Sequence, residues 1–61
     1  MENKRIFNVN ELAKYLGVSE QLIYKMKREQ KLPHFRVGRR ILFDKNKIDL
    51  WIENISLKQE E

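Results

Sequence analysis

The side chains between Gln21 and Arg28 combine hydrogen-bonding chemistry with helical spacing. On a helical projection, one face carries an amide, a phenol, an ammonium and a guanidinium, contributed by Gln21, Tyr24, Lys25 and Arg28. An amide can bond an adenine edge bidentately, and an ammonium can donate to the acceptors of guanine. A tyrosine can contact a thymine methyl group or donate its hydroxyl to a phosphate. These residue types predict a helix face that reads base edges in a DNA major groove.

The residues around this face have supporting roles in the same prediction. Lys27 and Arg28, further along the helix, are expected to bind phosphates. Ser19 is expected to cap the helix, which stabilises it by about 1 kcal/mol, and the free N–H groups of that turn can also bind a phosphate. Glu20 could accept from a cytosine amino group. An acid in the first turn also favours the helix dipole, and we prefer this second interpretation.

A second group of basic side chains follows Pro33. Its candidate DNA-binding residues are Arg36, Gly38, Arg39 and Arg40. Arg39 is predicted at the tip of a hairpin, where it could enter a minor groove, because a narrow A·T-rich groove concentrates negative potential and attracts arginine. The alternative is a solvated turn. We favour DNA contact, because a predicted base-reading helix precedes the hairpin.

Charge is distributed unevenly along the chain. The 61 residues carry 13 Lys and Arg against 9 Asp and Glu, for a net charge of +4. The segment from Lys25 to Phe43 alone has a net charge of +6, because it contains seven basic residues and a single acid, Glu29. The rest of the chain has a net charge of −2. A polyanion would therefore meet one basic face. The alternatives are a solvated surface or a docking face for an acidic protein partner.

Local signals define a first short helix before the basic segment. Asn8, with Glu11 three residues later, has the pattern of a capping box. This pattern predicts a helix from Val9 to Leu16. Gly17 then suits a turn with positive φ, where a Cβ is unfavourable.

A second helix is predicted from Glu20 to Glu29 or Gln30, because helices usually stop before a proline such as Pro33. Ile23 is expected to fill the crease between the two helices, and Ala13 is small enough to let them cross closely. Their offsets are those of a DNA-binding helix-turn-helix, whose second helix enters the major groove.

Beyond Pro33 the hydrophobic pattern alternates around Gly38 and Arg39. A glycine at the first turn position is compatible with a type II′ two-residue hairpin. The apolar residues that flank this turn, and are predicted to face inward, are Phe35, Val37, Ile41 and Phe43. Asp44 is expected to cap a third helix, with Leu50 partly exposed. The apolar stripe of that helix consists of Ile48, Trp51, Ile52 and Ile55.

This order of elements predicts one mainly α domain with a small β-hairpin, a winged helix-turn-helix. We expect residues 1–6 to be a flexible N-terminus, residues 7–57 to form the domain and residues 58–61 to be a frayed polar tail. The chain has no cysteine, so a disulfide or thiolate-metal site is excluded. We expect no signal peptide, and the apolar runs are too short to span a bilayer.

Four short sequence motifs accompany this order of elements. They are E-L-A-K-Y-L-G-V-S (11–19), K-L-P (31–33), F-R-V-G-R-R (35–40) and D-L-W-I (49–52). Together they resemble the excisionase-type, MerR-like helix-turn-helix domains, and the resemblance covers roughly Phe7 to Ile55. It implies a DNA-binding protein of a phage, an integrated mobile element or a bacterial regulator.

Two positions depart from the pattern of that family. The family usually has glycine at the position of Gln30, where it would suit a left-handed helix end. Gln30 therefore implies either strain or a different helix exit. The family also tends to have a small hydroxyl residue at the position of Leu22, where leucine is expected to pack beside Met26.

The function implied by the resemblance is that of an excisionase-like recombination directionality factor. Such a protein binds double-stranded DNA at tandem sites, bends it and helps an integrase, so the integrase and neighbouring copies on DNA are further candidate partners. A small stand-alone transcriptional regulator of the same fold is the alternative, and a protein-interaction module using the basic face is a third hypothesis. We expect a cytoplasmic, bacterial or phage-encoded monomer with no membrane or small-molecule ligand.

Catalytic chemistry finds little support in these residues. The sequence shows no Ser/His/Asp set, no paired carboxylates on a cleft-forming scaffold and no glycine-rich phosphate loop. The single histidine, His34, lacks a second ligand at metal spacing. We therefore expect no enzymatic activity, no cofactor and no metal site.

Overall fold

The computed structural model describes residues 4–58, which form three helices and three short strands. In chain order these are β1 (Ile6–Phe7), α1 (Val9–Leu16), α2 (Glu20–Arg28), β2 (Phe35–Val37), β3 (Arg40–Asp44) and α3 (Lys45–Lys58). We call the β2–β3 hairpin, residues 35–44, the wing. The architecture confirms the predicted winged helix-turn-helix. Residues 1–3 of the expected N-terminus and 59–61 of the expected tail lie outside the described residues.

α1 begins and ends where its local signals predict. The Asn8 Oδ1 accepts from the Glu11 N–H at 2.8 Å, and the Glu11 Oε1 accepts from the Asn8 N–H at 2.9 Å, which completes the capping box. At the other end, Gly17 has φ 73° and its N–H donates to the Ala13 carbonyl at 2.8 Å. A glycine ends the helix in this left-handed conformation without the strain of a Cβ.

α2 begins at a capped N-terminus and packs across α1. The Ser19 hydroxyl oxygen accepts from the Leu22 N–H at 3.2 Å, which confirms the predicted cap. Ile23 is fully buried and Ala13 is almost so. The small side chain of Ala13 therefore lets the two helices approach closely, as predicted.

The end of α2 resolves the question raised by Gln30. The helix ends at Arg28, slightly earlier than predicted, and Gln30 has φ 60°. The Lys31 N–H donates to the Met26 carbonyl at 2.9 Å and the Gln30 N–H to the Lys27 carbonyl at 3.0 Å. These bonds form a Schellman motif. Glutamine therefore occupies the left-handed position that favours glycine, at a strain of about 1 kcal/mol.

The strands form one antiparallel sheet in the order β1-β3-β2. Phe7 of β1 pairs with Phe43 of β3, and both side chains are buried. Nothing in the sequence pattern predicts β1, because it has only two residues and its partner lies far along the chain. The pairing adds a third strand to the sheet and so supports the wing, because a two-stranded hairpin is marginally stable by itself.

The register of the wing places Phe35 and Val37 on its outer face, so the prediction that they face inward is wrong. Val37 pairs with Arg40, and Phe35 pairs with Leu42. Residues directly opposite each other share a face of the sheet. Since the Gly38-Arg39 turn has two residues, the odd-numbered residues of β2 lie on the same face as the even-numbered residues of β3. Phe35 and Val37 are accordingly 39% and 56% exposed.

Ile41 and Phe43 lie on the opposite face of the sheet, as predicted. Phe43 is fully buried, and Ile41 packs against the core. Arg36 pairs with Ile41 and shares its face, but its side chain is exposed. At the turn, Gly38 has φ 62° and Arg39 has no positive φ, which is the type II′ pattern.

α3 packs against β3 and completes the core. The Asp44 Oδ1 accepts from a first-turn N–H of α3 at 2.9 Å, which confirms the predicted cap. Ile48 is fully buried, Trp51 and Ile52 pack against the core, and Leu50 is exposed as predicted. The buried apolar side chains of the domain are Phe7, Val9, Leu12, Ala13, Ile23, Leu32, Phe43 and Ile48. Among residues 4–58, no helix has the length and apolarity needed to cross a bilayer.

Candidate nucleic-acid interface

One side of α2 turns its polar side chains to solvent. Because Ile23 is buried and the helix repeats about every 3.6 residues, the opposite face points outward. The predicted site residues that are exposed are Ser19, Glu20, Gln21, Tyr24, Lys25 and Arg28. Lys27 is half-buried, on the flank nearer to Ile23, so it is less accessible than the other predicted phosphate ligands.

The wing carries the second group of predicted DNA-binding residues around its turn. Arg36, Gly38, Arg39 and Arg40 are all exposed. Arg39 lies within the turn itself, and Arg36 and Arg40 belong to the two strands that flank it. The guanidinium groups are therefore concentrated at the end of the hairpin.

A cleft brings α2 and the wing next to each other. Glu20 and Tyr24 of α2 line it together with Arg39 and Arg40 of the wing, and Ile41 and residues 8–10 complete its lining. The two predicted groups of site residues therefore lie side by side on one surface, although the sequence separates them by more than ten residues.

Glu20 is held at the edge of this cleft by α1. The Asn10 Nδ2 donates to the Glu20 Oε2 at 2.7 Å. The carboxylate also lies in the first turn of α2, where it favours the positive end of the helix dipole. The hydrogen bond from Asn10 supports a role for Glu20 in positioning α2 on α1. Sequence reasoning missed Asn10, because its partner is ten residues away and no local pattern joins them.

The basic groups of this surface are concentrated and mostly unneutralised. Within residues 4–58, the only acid of the basic segment, Glu29, pairs with Lys31 at 3.6 Å. None of the other basic residues between positions 25 and 40 has an ion pair among the described residues. Close to the cleft, hydrogen bonds from Lys4 and from the Asn8 backbone lower the pKa of Glu11, and Arg40 adds to this effect. Two acids, Glu11 near Arg40 and Glu20 in the cleft, reduce the positive charge locally. The other basic side chains are available to an anionic partner.

The sequence predicts that Leu22 packs beside Met26, and in the structure the leucine side chain is 40% exposed. Any packing against Met26 therefore leaves much of the side chain accessible. His34 is also exposed, and its Nδ1 lies 2.9 Å from the Leu32 carbonyl oxygen. The described part of the chain contains no group of His, Asp and Glu that could hold a metal ion.

Comparison with known proteins identifies the family. A family model described as a helix-turn-helix domain matches residues 6–56. Neither the curated proteins nor the solved structures contain a match. The matched segment includes the three strands, the first two helices and all but the last two residues of α3. It also includes both groups of candidate DNA-binding residues. The chain therefore belongs to this helix-turn-helix family of excisionase-like and MerR-like DNA-binding domains.

Proposed function

We propose that this protein binds double-stranded DNA sequence-specifically, with α2 in a major groove and the wing in the adjacent minor groove. The observation that carries the proposal is the cleft shared by Glu20 and Tyr24 of α2 and Arg39 and Arg40 of the wing. It gives the protein one continuous surface with a helix and a hairpin side by side. A major groove about 12 Å wide admits a helix, and the minor groove beside it is narrower.

The exposed face of α2 supplies the base-reading chemistry in this proposal. Gln21 pairs with an adenine edge, and Lys25 donates to guanine acceptors. Tyr24, on the flank that lines the cleft, contacts a thymine methyl group or a phosphate. Glu20 is engaged by Asn10, so we assign it a positioning role rather than base contact.

Phosphate contacts fix the register of the helix in the groove. Arg28 and, to a smaller extent, the half-buried Lys27 bind phosphates near the end of α2. At its start, Ser19 caps one N–H, while other first-turn N–H groups have no intrahelical partner. These groups and the helix dipole favour a phosphate there.

The wing supplies the minor-groove contact. Arg39 is exposed at a turn whose glycine, Gly38, removes side-chain bulk next to it. An arginine inserted into a narrow A·T-rich minor groove meets concentrated negative potential. Arg36 and Arg40, on the two strands that flank the turn, bind the phosphates on either side.

Selection from random duplexes tests the proposal. We expect one recurring sequence, with an A·T-rich step next to the bases read by α2. Affinity for it should fall steeply with salt, because each neutralised phosphate releases a counterion. If no duplex binds at low salt, the proposal fails, and capture of acidic proteins by the same surface would support the interaction-module alternative.

Within this DNA-binding role, we propose that the protein is an excisionase-like recombination directionality factor. Membership in a family of excisionase-like domains supports this role. The test is excision of a mobile element by its integrase, with and without this protein. Stimulation of excision supports the proposal. Promoter occupancy without any effect on excision contradicts it and favours the transcriptional regulator.

A further inference from the structure

The most exposed apolar side chain of α2 after Tyr24 is Leu22, and nothing in the DNA-binding proposal uses it. It is 40% exposed, whereas its neighbour Ile23 is fully buried. A single exposed leucine is common on protein surfaces. The position of this leucine is informative, because along the helix it lies between Gln21 and Tyr24, two exposed residues that are proposed to contact bases.

Helix geometry assigns Leu22 to the flank of α2 that faces away from the wing. Successive residues rotate by about 100° around a helix, so Leu22 and Tyr24 are about 200° apart. Tyr24 lines the cleft beside the wing. Leu22 therefore lies on the opposite flank, with the outward-facing Gln21 and Lys25 between the two.

A helix inserted in a major groove meets base edges or backbone on both flanks. With side chains, an α-helix is about 10–12 Å across, which nearly fills a groove about 12 Å wide. Leucine has no hydrogen-bond donor or acceptor in its side chain, so it cannot bind a phosphate or a polar base edge. The one apolar group on the major-groove edges of the four bases is the C5-methyl group of thymine.

We propose that Leu22 contacts a thymine methyl group and so specifies thymine at one position of the target. That position lies on the side of the α2 contact away from the wing, opposite the bases near Tyr24. This inference rests on the proposed DNA-binding function. The interaction is the burial of two apolar groups, so its contribution depends on the methyl group and on the leucine side chain together.

Replacement of single thymines by deoxyuridine in the selected duplex isolates the methyl group, because the two bases differ only there. We expect wild-type protein to bind about three- to tenfold more weakly when one particular thymine is replaced. Leu22→Ala should bind both forms of that duplex equally. Tyr24→Ala, the control on the other flank, should keep the full sensitivity at that thymine.

Leu22→Ala is expected to fold, because the side chain is exposed and alanine is a better helix former; thermal unfolding checks this. If wild type binds its selected site but is insensitive to every replacement, the inference is wrong while the DNA-binding proposal stands. The inference is also wrong if Leu22→Ala retains the wild-type sensitivity. Failure to select any duplex contradicts the DNA-binding proposal itself.

Discussion

The guanidinium of Arg5 binds the carboxylate of Asp44, with 3.0 Å between Nη2 and Oδ2. The same carboxylate accepts from the Asn46 N–H at the start of α3, and the Arg5 carbonyl accepts from the Lys45 N–H at 2.7 Å. One side chain therefore joins the segment before β1 to the end of β3 and the start of α3. The hydrogen bond from Arg5 is the main cause that lowers the pKa of Asp44 below its usual value of 3.8.

Stability is predicted to fall in acid, because three carboxyl groups have lowered pKa values in the folded state. Besides Asp44, Glu11 is lowered from 4.5 mainly by Lys4, and Asp49 from 3.8 mainly by the Tyr15 hydroxyl. A lowered folded pKa stabilises the fold fully above the unfolded value, and the stabilisation disappears as the pH falls through the folded value. The midpoint temperature of thermal unfolding should therefore be constant above about pH 5 and decrease below about pH 4.

Asp44→Asn separates the ion pair from the helix cap. Asparagine caps a helix about as well as aspartate but does not attract the Arg5 guanidinium as a charge. We expect a lower unfolding temperature at pH 7 and a smaller decrease between pH 5 and pH 3 than in wild type. An acid decrease of unchanged size would show that Asp44 contributes nothing to it.

Gln30→Gly is predicted to stabilise the domain. Gln30 has φ 60° at the Schellman end of α2, where a side chain with a Cβ is strained and glycine is not. The expected gain in the free energy of unfolding is about 0.5–1 kcal/mol, after allowance for the greater freedom of glycine in the unfolded chain. Urea unfolding measures it.

The control for this change is Glu29→Gly, one residue earlier. Glu29 has φ −84°, where glycine relieves no strain. Glycine there increases the freedom of the unfolded chain and removes the exposed ion pair with Lys31, which contributes little to stability. This variant should be destabilised. If both glycine variants changed stability in the same direction, strain at Gln30 would not be the reason.

Matched Phe→Leu changes test the two faces of the wing. Phe35 is 39% exposed on the outer face and Phe43 is fully buried on the inner face. Phe35→Leu is expected to change the free energy of unfolding by less than about 0.5 kcal/mol. Phe43→Leu should destabilise the domain by about 1 kcal/mol, because the smaller side chain packs less well in the core. Equal losses in chemical unfolding would contradict the register described for the hairpin.

The sequence is a reliable guide to those parts of the fold that depend on neighbouring residues. Asn8, Gly17 and Ser19 define the helix ends through hydrogen bonds or backbone angles within a few residues, and the structure confirms each of them. The departure at Gln30 comes instead from the family resemblance, because the family usually has glycine at this position. DNA binding follows from the side chains of α2 and the helix-turn-helix spacing, and the family resemblance added the excisionase-like role.

The features that the sequence did not predict depend on contacts between distant segments. Arg5 and Asp44 are 39 residues apart, so no local pattern connects them, and β1 depends on the same remote pairing. Alternation alone predicts that Phe35 and Val37 face inward, whereas the register across the two-residue turn places them on the outer face. The cleft lined by Tyr24 and Arg39 also depends on the folded arrangement of distant segments, so the sequence does not predict it. The base and phosphate contacts of the individual site residues remain predictions.

Gln21→Ala and Arg28→Ala are predicted to affect binding in different ways. Loss of the Gln21 amide should change the base preferred at its position and weaken binding to the selected site by about 1–3 kcal/mol. Loss of Arg28 should weaken binding to all duplexes about equally and reduce the salt slope by about 1. Lys47→Ala, an exposed lysine on α3, is the charge-matched control and should change neither quantity. If Arg28→Ala changed only the base preference, the roles assigned to Gln21 and Arg28 would be wrong.

Methylation interference tests most directly whether α2 and the wing bind one duplex together, because methyl groups on guanine N7 and adenine N3 obstruct the major and minor grooves respectively. On the selected site we predict interference from guanine N7 where α2 binds and from adenine N3 in the adjacent A·T-rich step. Arg39→Ala should lose only the adenine N3 interference, because it keeps the exposed face of α2. If adenine N3 methylation has no effect on wild type, or if Arg39→Ala leaves the pattern unchanged, the two-groove account is wrong.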